Sequence, residues 1–239
     1  MKKPMVTTLV VILLALGLSV GCIGGGIIGS GNLESETFNF SDFTEVEAQN
    51  GFQVEITKSS TFSVEITTDD NVQEYIKITK SGETLEIGLE FGRIYGSVTL
   101  RAKITMPDLY KLDLSGGSRA SITGFSSSHD FSVELSGGSR IEGDITAADA
   151  EFDLSGGSWV DLAGSADALD VNSSGGSQLD LEAFSVNNAD VNLSGGGKAT
   201  VNVNGTLDVN LSGGSKVLYV GEPTLGDIDL SGGSTVSKK

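Results

Sequence analysis

Few side chains in this sequence are of the types that carry out nucleophilic, acid–base or metal chemistry. The chain of 239 residues contains one cysteine, Cys22, and one histidine, His129. A lone cysteine allows no intrachain disulfide and no thiolate metal cage, and a lone histidine allows no histidine cluster for zinc. His129 lies in the polar segment 126–130, Ser-Ser-Ser-His-Asp, but a Ser-His-Asp triad is assembled from separated segments around an oxyanion hole. We therefore predict a loop histidine, no catalytic residues, no cofactor and no dedicated metal site.

Cys22 follows a segment that is typical of exported proteins. Lys2 and Lys3 precede an apolar stretch, residues 6–18, that is shorter than the roughly 20 residues a membrane span needs. The sequence Leu-Ser-Val-Gly-Cys at 18–22 resembles a lipoprotein processing site, in which the cysteine becomes the lipidated first residue of the mature chain. We predict a signal peptide over 1–21, lipidation at Cys22, and a lipid attachment site with a flexible glycine-rich tether over 22–37. An ordinary signal peptide or an uncleaved anchor is the alternative.

Trp159 is the only tryptophan, and it is the best candidate for contact with a ligand. Arg140 and Gln178 lie 19 residues before and after it, at equivalent places in a repeated pattern. An aromatic ring at a position that is otherwise polar, beside side chains that form hydrogen bonds, is suited to stacking on a sugar ring. We take Trp159, Arg140 and Gln178 as a candidate ligand-binding set, with packing of Trp159 under a loop as the alternative.

Acidic side chains recur at the same places in that pattern. If the repeats stack as strands, like charges lie about 5 Å apart and repel one another. Calcium prefers such oxygen ligands, so weak surface binding of calcium is one interpretation, and a solvated acidic face is the other. The acidic positions are Asp113, Glu134, Asp153 in one row and Glu151, Asp170, Asp190, Asp208, Asp227 in a second.

The overall charge excludes one class of partner. Acidic residues number 32 against 15 basic residues, which gives a formal net charge of −17. A surface this acidic is repelled by phosphate backbones, so we expect no nucleic-acid partner.

The strands that position these side chains recur with a repeat in the sequence. The tripeptide Ser-Gly-Gly occurs seven times after residue 112, at spacings of 18 to 21 residues. Apolar residues stand three and one positions before most of these serines, with an acid or amide between them, as in a strand with one buried face. We predict an all-β fold, a β-solenoid (parallel β-helix-like) with coils of about 19 residues, in which glycines form the corners. The repeated serines are Ser115, Ser136, Ser155, Ser174, Ser194, Ser212 and Ser231.

The preceding region also has the alternation of strands. Residues 52–56 and 62–66 alternate between apolar and polar, and Pro107 ends a further alternating run at 98–106. We predict an N-terminal β region over 38–111 that packs onto or continues the solenoid of 112–239. Residues 38–239 would then form one continuous domain.

The repeated pattern, written [LVIF]-[DEN]-L-S-G-G-S, together with the lipoprotein-like start, resembles the putative auto-transporter adhesin, head GIN domain family. The resemblance extends from about Phe43 to Val236. It implies an all-β, solenoid-like fold and adhesion at the cell surface, and it brings no catalytic residues.

The function we expect is that of an exported, lipid-anchored and non-catalytic module for adhesion or structure, in contact with the membrane through its lipid. It would lie outside the cytoplasm, with a cell-surface glycan or the extracellular matrix as partner. The alternative is a carbohydrate- or cell-wall-binding module on the solenoid face. A polysaccharide-active enzyme fits less well, because the short coils have no long insertions to build a cleft.

Overall fold

The structure, a computed structural model, describes residues 26–239 and consists almost entirely of β-strands. The predicted signal peptide 1–21 and the predicted lipidation residue Cys22 lie outside the described residues. Within them, the helical structure is a short 3₁₀ turn, Gln73–Tyr75, and no helix is long and apolar enough to span a membrane.

Seven strands precede the Ser-Gly-Gly repeats, and twelve lie in and between the repeats. The first seven are β1 (Leu33–Phe38), β2 (Glu45–Ala48), β3 (Gln53–Lys58), β4 (Ser63–Asp69), β5 (Ile76–Ser81), β6 (Thr84–Leu89) and β7 (Leu100–Met106). The other twelve are β8 (Lys111–Leu114), β9 (Arg119–Ser126), β10 (Phe131–Leu135), β11 (Arg140–Thr146), β12 (Asp149–Leu154), β13 (Trp159–Gly175), β14 (Gln178–Gly195), β15 (Lys198–Val203), β16 (Thr206–Leu211), β17 (Lys216–Val220), β18 (Thr224–Leu230) and β19 (Thr235–Lys238).

The strands stack into two parallel walls, which confirms the predicted β-solenoid. Wall A contains the strands that end at the repeated serines: β8, β10, β12, the second halves of β13 and β14, β16 and β18. Wall B contains the strands that begin after the glycines: β9, β11, the first halves of β13 and β14, β15, β17 and β19. Each coil of the chain therefore contributes one strand to each wall.

The N-terminal region continues both walls. This is one of the two arrangements predicted from the sequence, the other being a region packed onto the solenoid. β2 lies between β6 and β8 in wall A, and β3 lies between β7 and β9 in wall B, all in parallel. Strands that come earlier in the sequence are thus inserted between strands that come later. Beyond them the stack ends in antiparallel strands, with β5 on β6, and with β4 on β7 and β1 on β4.

Apolar side chains fill the space between the walls. Val133 and Leu135 on β10 are 0% and 2% exposed and pair in register with Phe152 and Leu154 on β12. Burying each such side chain contributes about 1.5–3 kcal/mol, and a single coil has no neighbour against which to bury it. Ser173 is the exception in this row: it is 7% exposed, and its hydroxyl has no hydrogen-bond partner.

The first glycine of each Ser-Gly-Gly tripeptide has a positive φ, between 62° and 96° in the seven repeats. Only glycine adopts this conformation cheaply. Later in the stack a second constraint is added, because a Cβ on Gly195 would lie 2.6 Å from the carbonyl oxygen of Gly175. The second glycine has a positive φ in three repeats, at Gly117, Gly138 and Gly233, but not in the others. Gly196 is among the less constrained, with no positive φ and no atom within 4 Å of such a Cβ.

Strand structure begins inside the range 22–37 that the sequence analysis assigned to the tether. β1 starts at Leu33, and the backbone N–H of Ile27 already donates to the carbonyl of Ile94 over 2.8 Å. The buried Asp69 carboxylate accepts hydrogen bonds from the backbone N–H groups of Gly31 and Thr99, each 2.7 Å long. These contacts hold the described part of the segment against the end of the solenoid.

The two glycines of one corner, Gly195 and Gly196, are expected to respond very differently to substitution by alanine. Gly195→Ala should lower the free energy of unfolding by about 2–3 kcal/mol, because it combines a left-handed backbone with a clash against the next coil. Gly196→Ala, one residue away, should change it by no more than about 0.5 kcal/mol. Urea denaturation of both variants measures the difference, and equal effects would contradict this account of the corners.

Candidate functional site

The outer surface of wall A carries a row of carboxylates in strand register. We call Glu86, Glu47, Asp113, Glu134 and Asp153 the acidic ladder, in their order along the stack. Three of these side chains could be placed in one row from the repeat, whereas Glu86 and Glu47 could not, because their strands precede the repeats. Asn172, Asn192 and Asn210 continue the same row as neutral steps.

The acidic ladder is electrostatically unfavourable at neutral pH. Burial, and then the neighbouring Glu134 carboxylate, raise the pKa of Asp113. Burial, and then Asp113 and Glu86, raise the pKa of Glu47. Lys111 relieves part of this repulsion, since its Nζ lies 2.5 Å from Glu134 Oε1.

The second acidic row of wall A contains Glu151, Asp170, Asp190 and Asp208 in register. Asp227 does not stack directly on it, because the pairing of β16 with β18 shifts at this point and the Asp227 N–H donates to Asp208 Oδ1. Burial, and then Asp190, raise the pKa of Asp170. Among the described residues, no group of three or more His, Cys, Asp or Glu side chains is arranged to hold a metal ion.

The amides beside this row form hydrogen bonds within their own strands. Asn172 Nδ2 donates to Asp170 Oδ1 over 2.9 Å, and Asn192 Nδ2 donates to Asp190 Oδ1 over 2.8 Å. Each amide therefore binds a carboxylate two residues earlier on its own strand. This arrangement connects the two rows of wall A.

Wall B brings the three predicted ligand-binding residues onto consecutive strands. Arg140 pairs in register with Trp159, and Trp159 with Gln178. The Arg140 guanidinium carbon lies 3.1 Å from the centroid of the Trp159 ring, a cation–π contact. Trp159 is half-buried and Gln178 is exposed. One face of the indole is thus covered by Arg140, which leaves its edge and the side toward Gln178 for other contacts.

An open groove of about 900 Å³ extends from Trp159 toward the N-terminal end of wall B. Its basic lining residues are Arg101, Lys103, Arg119 and Arg140, and its acidic ones are Glu55, Glu65 and Glu142. The sequence analysis missed Arg101 and Lys103, since alternation in β7 marks them as outward-facing but does not say which strand lies beside them. Wall A has a smaller groove of about 600 Å³ along the acidic ladder and the repeated serines.

The lone histidine lies beside serine and aspartate side chains but not in the geometry of a triad. Ser127 Oγ lies 2.9 Å from Asp108 Oδ2 and 3.2 Å from His129 Nδ1, and the Asp108 carboxylate is 3.7 Å from the same nitrogen. In a triad the serine and the acid contact opposite ring nitrogens. The His129 ring also packs on Tyr110, with 4.5 Å between centroids.

The raised pKa values predict how stability depends on pH. A carboxyl whose pKa is higher in the folded state binds its proton more tightly there, so stability rises as the pH falls from 7 through that pKa and is lost as the pH rises again. Asp113→Asn should therefore raise the free energy of unfolding at pH 7 by about 0.2–1 kcal/mol and flatten its dependence on pH as the pH falls from 7 toward the raised pKa. Denaturation at several pH values tests this, with the exposed Glu34→Gln as control. A gain equal to that of Glu34→Gln would assign the effect to net charge alone.

Solved structures share this fold at low sequence identity. A crystal structure of a putative adhesin from Bacteroides fragilis has a TM-score of 0.83 and 20% identity, covering 90% of this chain and 100% of that one. One of a putative lipid binding protein from Parabacteroides distasonis has a TM-score of 0.73 and 18% identity, covering 89% and 99%. One of a putative adhesin from Parabacteroides merdae has a TM-score of 0.61 and 17% identity, covering 90% and 99%. A comparison with curated proteins finds no match.

The sequence itself matches a family model over most of its length. The model is described as putative auto-transporter adhesin, head GIN domain, and it matches residues 42–223. This range includes the inserted strands β2 and β3, both walls except their last strands β18 and β19, and six of the seven Ser-Gly-Gly corners. The chain belongs to the putative auto-transporter adhesin, head GIN domain family.

Proposed function

We propose that this protein is exported, anchored through a lipid on Cys22, and acts at the cell surface as a non-catalytic adhesion module. Membership of the adhesin head family supports the adhesive role. The observation that carries the proposal is an apolar patch at the N-terminal end of the stacked walls, which we call the rod. At this end the chain leads back to Cys22.

The patch consists of Ile28, Phe91 and Ile94, which are 67%, 101% and 62% exposed. Ile28 and Ile94 lie close together, because the backbone of Ile27 bonds to Ile94 and Gly96 and the Ile28 side chain lies next to Gly96. Phe91 stands three residues before Ile94 on the same loop. A group of large, exposed apolar side chains is the mark of a contact surface.

If Cys22 is lipidated, the short chain between Cys22 and Gly26 keeps the apolar patch close to the membrane. Only residues 23–25 separate Cys22 from Gly26, so the two lie no more than about 14 Å apart even in extended chain. One lipid chain alone binds membranes reversibly, and a second apolar or charged contact makes the attachment stable. The patch supplies such a contact and would direct both walls away from the bilayer.

This orientation suits adhesion mechanically. Wall A stacks nine strands from β6 to β18 at about 4.8 Å each, so the rod projects about 38 Å from its anchored end. Its two outer faces are then open to partners over their full length.

The lipid anchor is tested by Cys22→Ser in the full chain expressed in cells. We expect this variant to leave the membrane fraction and cell attachment to fall to background, because the patch alone binds weakly. Leu225→Ser, which removes an exposed apolar side chain from β18 at the other end of the rod, serves as the control and should change neither. Phe91→Ser combined with Ile94→Ser should keep the lipid but make the protein easier to extract with alkaline carbonate. Full membrane retention of Cys22→Ser would overturn the anchor, and unchanged attachment would overturn the adhesive role.

A second candidate function is carbohydrate binding on wall B, which the alignment of Arg140, Trp159 and Gln178 on consecutive strands favours. The groove beside them is open and lined by hydrogen-bonding side chains. Aromatic stacking with flanking polar groups is a common basis for binding sugar rings.

Retention on immobilised polysaccharides tests this second candidate. Trp159→Ala should weaken retention about tenfold, which corresponds to the loss of one aromatic stacking contact. Phe91→Ala, which removes an exposed aromatic side chain from the loop between β6 and β7, off wall B, is the matched control and should have no effect. Because Trp159 is half-buried, thermal unfolding must show that the variant is folded. Unchanged retention by folded Trp159→Ala would remove Trp159 from the site.

A further inference from the structure

One row on the outside of wall B contains basic residues and no acidic residue. Strand register places ten outward residues in line, which we call the basic ladder. In order along the stack they are Thr67, Arg101, Gln53, Arg119, Arg140, Trp159, Gln178, Lys198, Lys216 and Thr235. Five of the ten are basic, in a protein whose acidic residues outnumber its basic ones by 32 to 15. The charge of this row is therefore opposite to that of the molecule.

Most of these charges are not neutralised by the protein. Among the described residues, Arg101, Arg119, Lys198 and Lys216 form no ion pair within 4.0 Å. The adjacent row contains Glu55, Glu142, Asp161 and Asp180, but only Glu142 pairs with the ladder, through Arg140 at 2.9 Å. Like charges on neighbouring strands repel one another, so an anion bound along the row would lower the free energy of the protein.

We propose that the basic ladder is the binding site of a linear acidic polysaccharide that lies along the axis of the rod. The proposal rests on the carbohydrate-binding function suggested above and adds the charge of the ligand and the residues that bind it. Arg101 and Arg119 flank Gln53 and stand two strands apart, about 9.6 Å. Successive charges along one polymer chain can therefore each meet a separate arginine of the row.

The other residues of the row suit a polysaccharide. Arginine binds carboxylate or sulfate through two parallel hydrogen bonds. Gln53 and Gln178 place amides between the charges, where they can bond to sugar hydroxyls, and Trp159 adds an aromatic surface. The row is about 43 Å long, from nine steps of about 4.8 Å, which is long enough for many sugar units.

Two other polyanions fit less well. Duplex DNA has a charge every 1.7 Å of its axis, a denser charge than that of a polysaccharide with one acidic group per sugar unit, so the adjacent acidic row and the net charge of −17 repel DNA more strongly. An anionic membrane would have to lie along the side of the rod, whereas the exposed apolar patch is at its end. Duplex DNA and anionic vesicles are therefore included in the binding test.

The test uses the full mature chain in a binding assay with polygalacturonate and heparin, which separate carboxylate from sulfate recognition. Dextran, duplex DNA and phosphatidylglycerol vesicles complete the panel. We expect one of the two acidic polysaccharides to bind, with affinity that falls as salt rises, and dextran to bind at least tenfold more weakly. Arg101→Gln with Arg119→Gln should weaken that binding at least tenfold. The control is Lys77→Gln with Lys80→Gln, two exposed lysines of β5 that remove the same charge elsewhere.

The outcomes separate this proposal from the proposed function. No binding to either acidic polysaccharide, an equal loss in the Lys77 and Lys80 control, or tighter binding to DNA or vesicles would overturn the basic ladder as a polysaccharide site. If attachment still depends on Cys22 in that case, the adhesion proposal stands without the ladder. If acidic polysaccharides bind through Arg101 and Arg119 while cells lacking the anchor attach normally, the ladder stands and the adhesion proposal fails.

Discussion

The structure depends on the parallel stacking of strands at a spacing of about 4.8 Å. At this distance most residues lie directly against their equivalents on the coils above and below, so most positions of the repeat become continuous rows. Apolar rows such as Val133 with Phe152 close the interior. At the corner of the fifth repeat the backbone leaves no room for a Cβ on Gly195, which would lie 2.6 Å from the Gly175 carbonyl oxygen. Stability, corner chemistry and surface pattern all follow from this one constraint.

Stacking also concentrates whatever charge the repeat presents to solvent. On wall A it aligns five carboxylates, and burial together with their neighbours raises the pKa values of Glu47 and Asp113. On wall B it aligns Arg101 and Arg119 on either side of Gln53, with Arg140 next in the row. A globular fold would disperse such groups, whereas a solenoid turns a preference at one repeat position into a strip of uniform chemistry. Two strips of opposite charge on opposite walls give the rod two different faces for partners.

The organisation of the rod is consistent with a protein held at one end. Antiparallel strands β1, β4 and β5 cover the N-terminal end of the stack, and the exposed Phe91 and Ile94 lie on the loop that joins β6 to β7 at that end. The walls themselves carry the polar and charged rows. The apolar end and the charged sides are separate surfaces, so each can be altered by substitution without the other.

Much of the architecture could be predicted from the sequence, since the seven Ser-Gly-Gly corners specify coil length, inward and outward positions and the stacking of equivalent residues. Alternation also identified the earlier strands. It could not identify their neighbours, because a pattern of period two tells which face a side chain occupies and not which strand lies beside it. β2 and β3 enter the stack between later strands, and only that insertion brings Gln53 between Arg101 and Arg119 and places Glu47 between Glu86 and Asp113. The sequence by itself determined the repeating coil and its chemistry; the tertiary structure decided which residues from outside the repeats complete the two charged rows, because those contacts depend on pairing between distant segments.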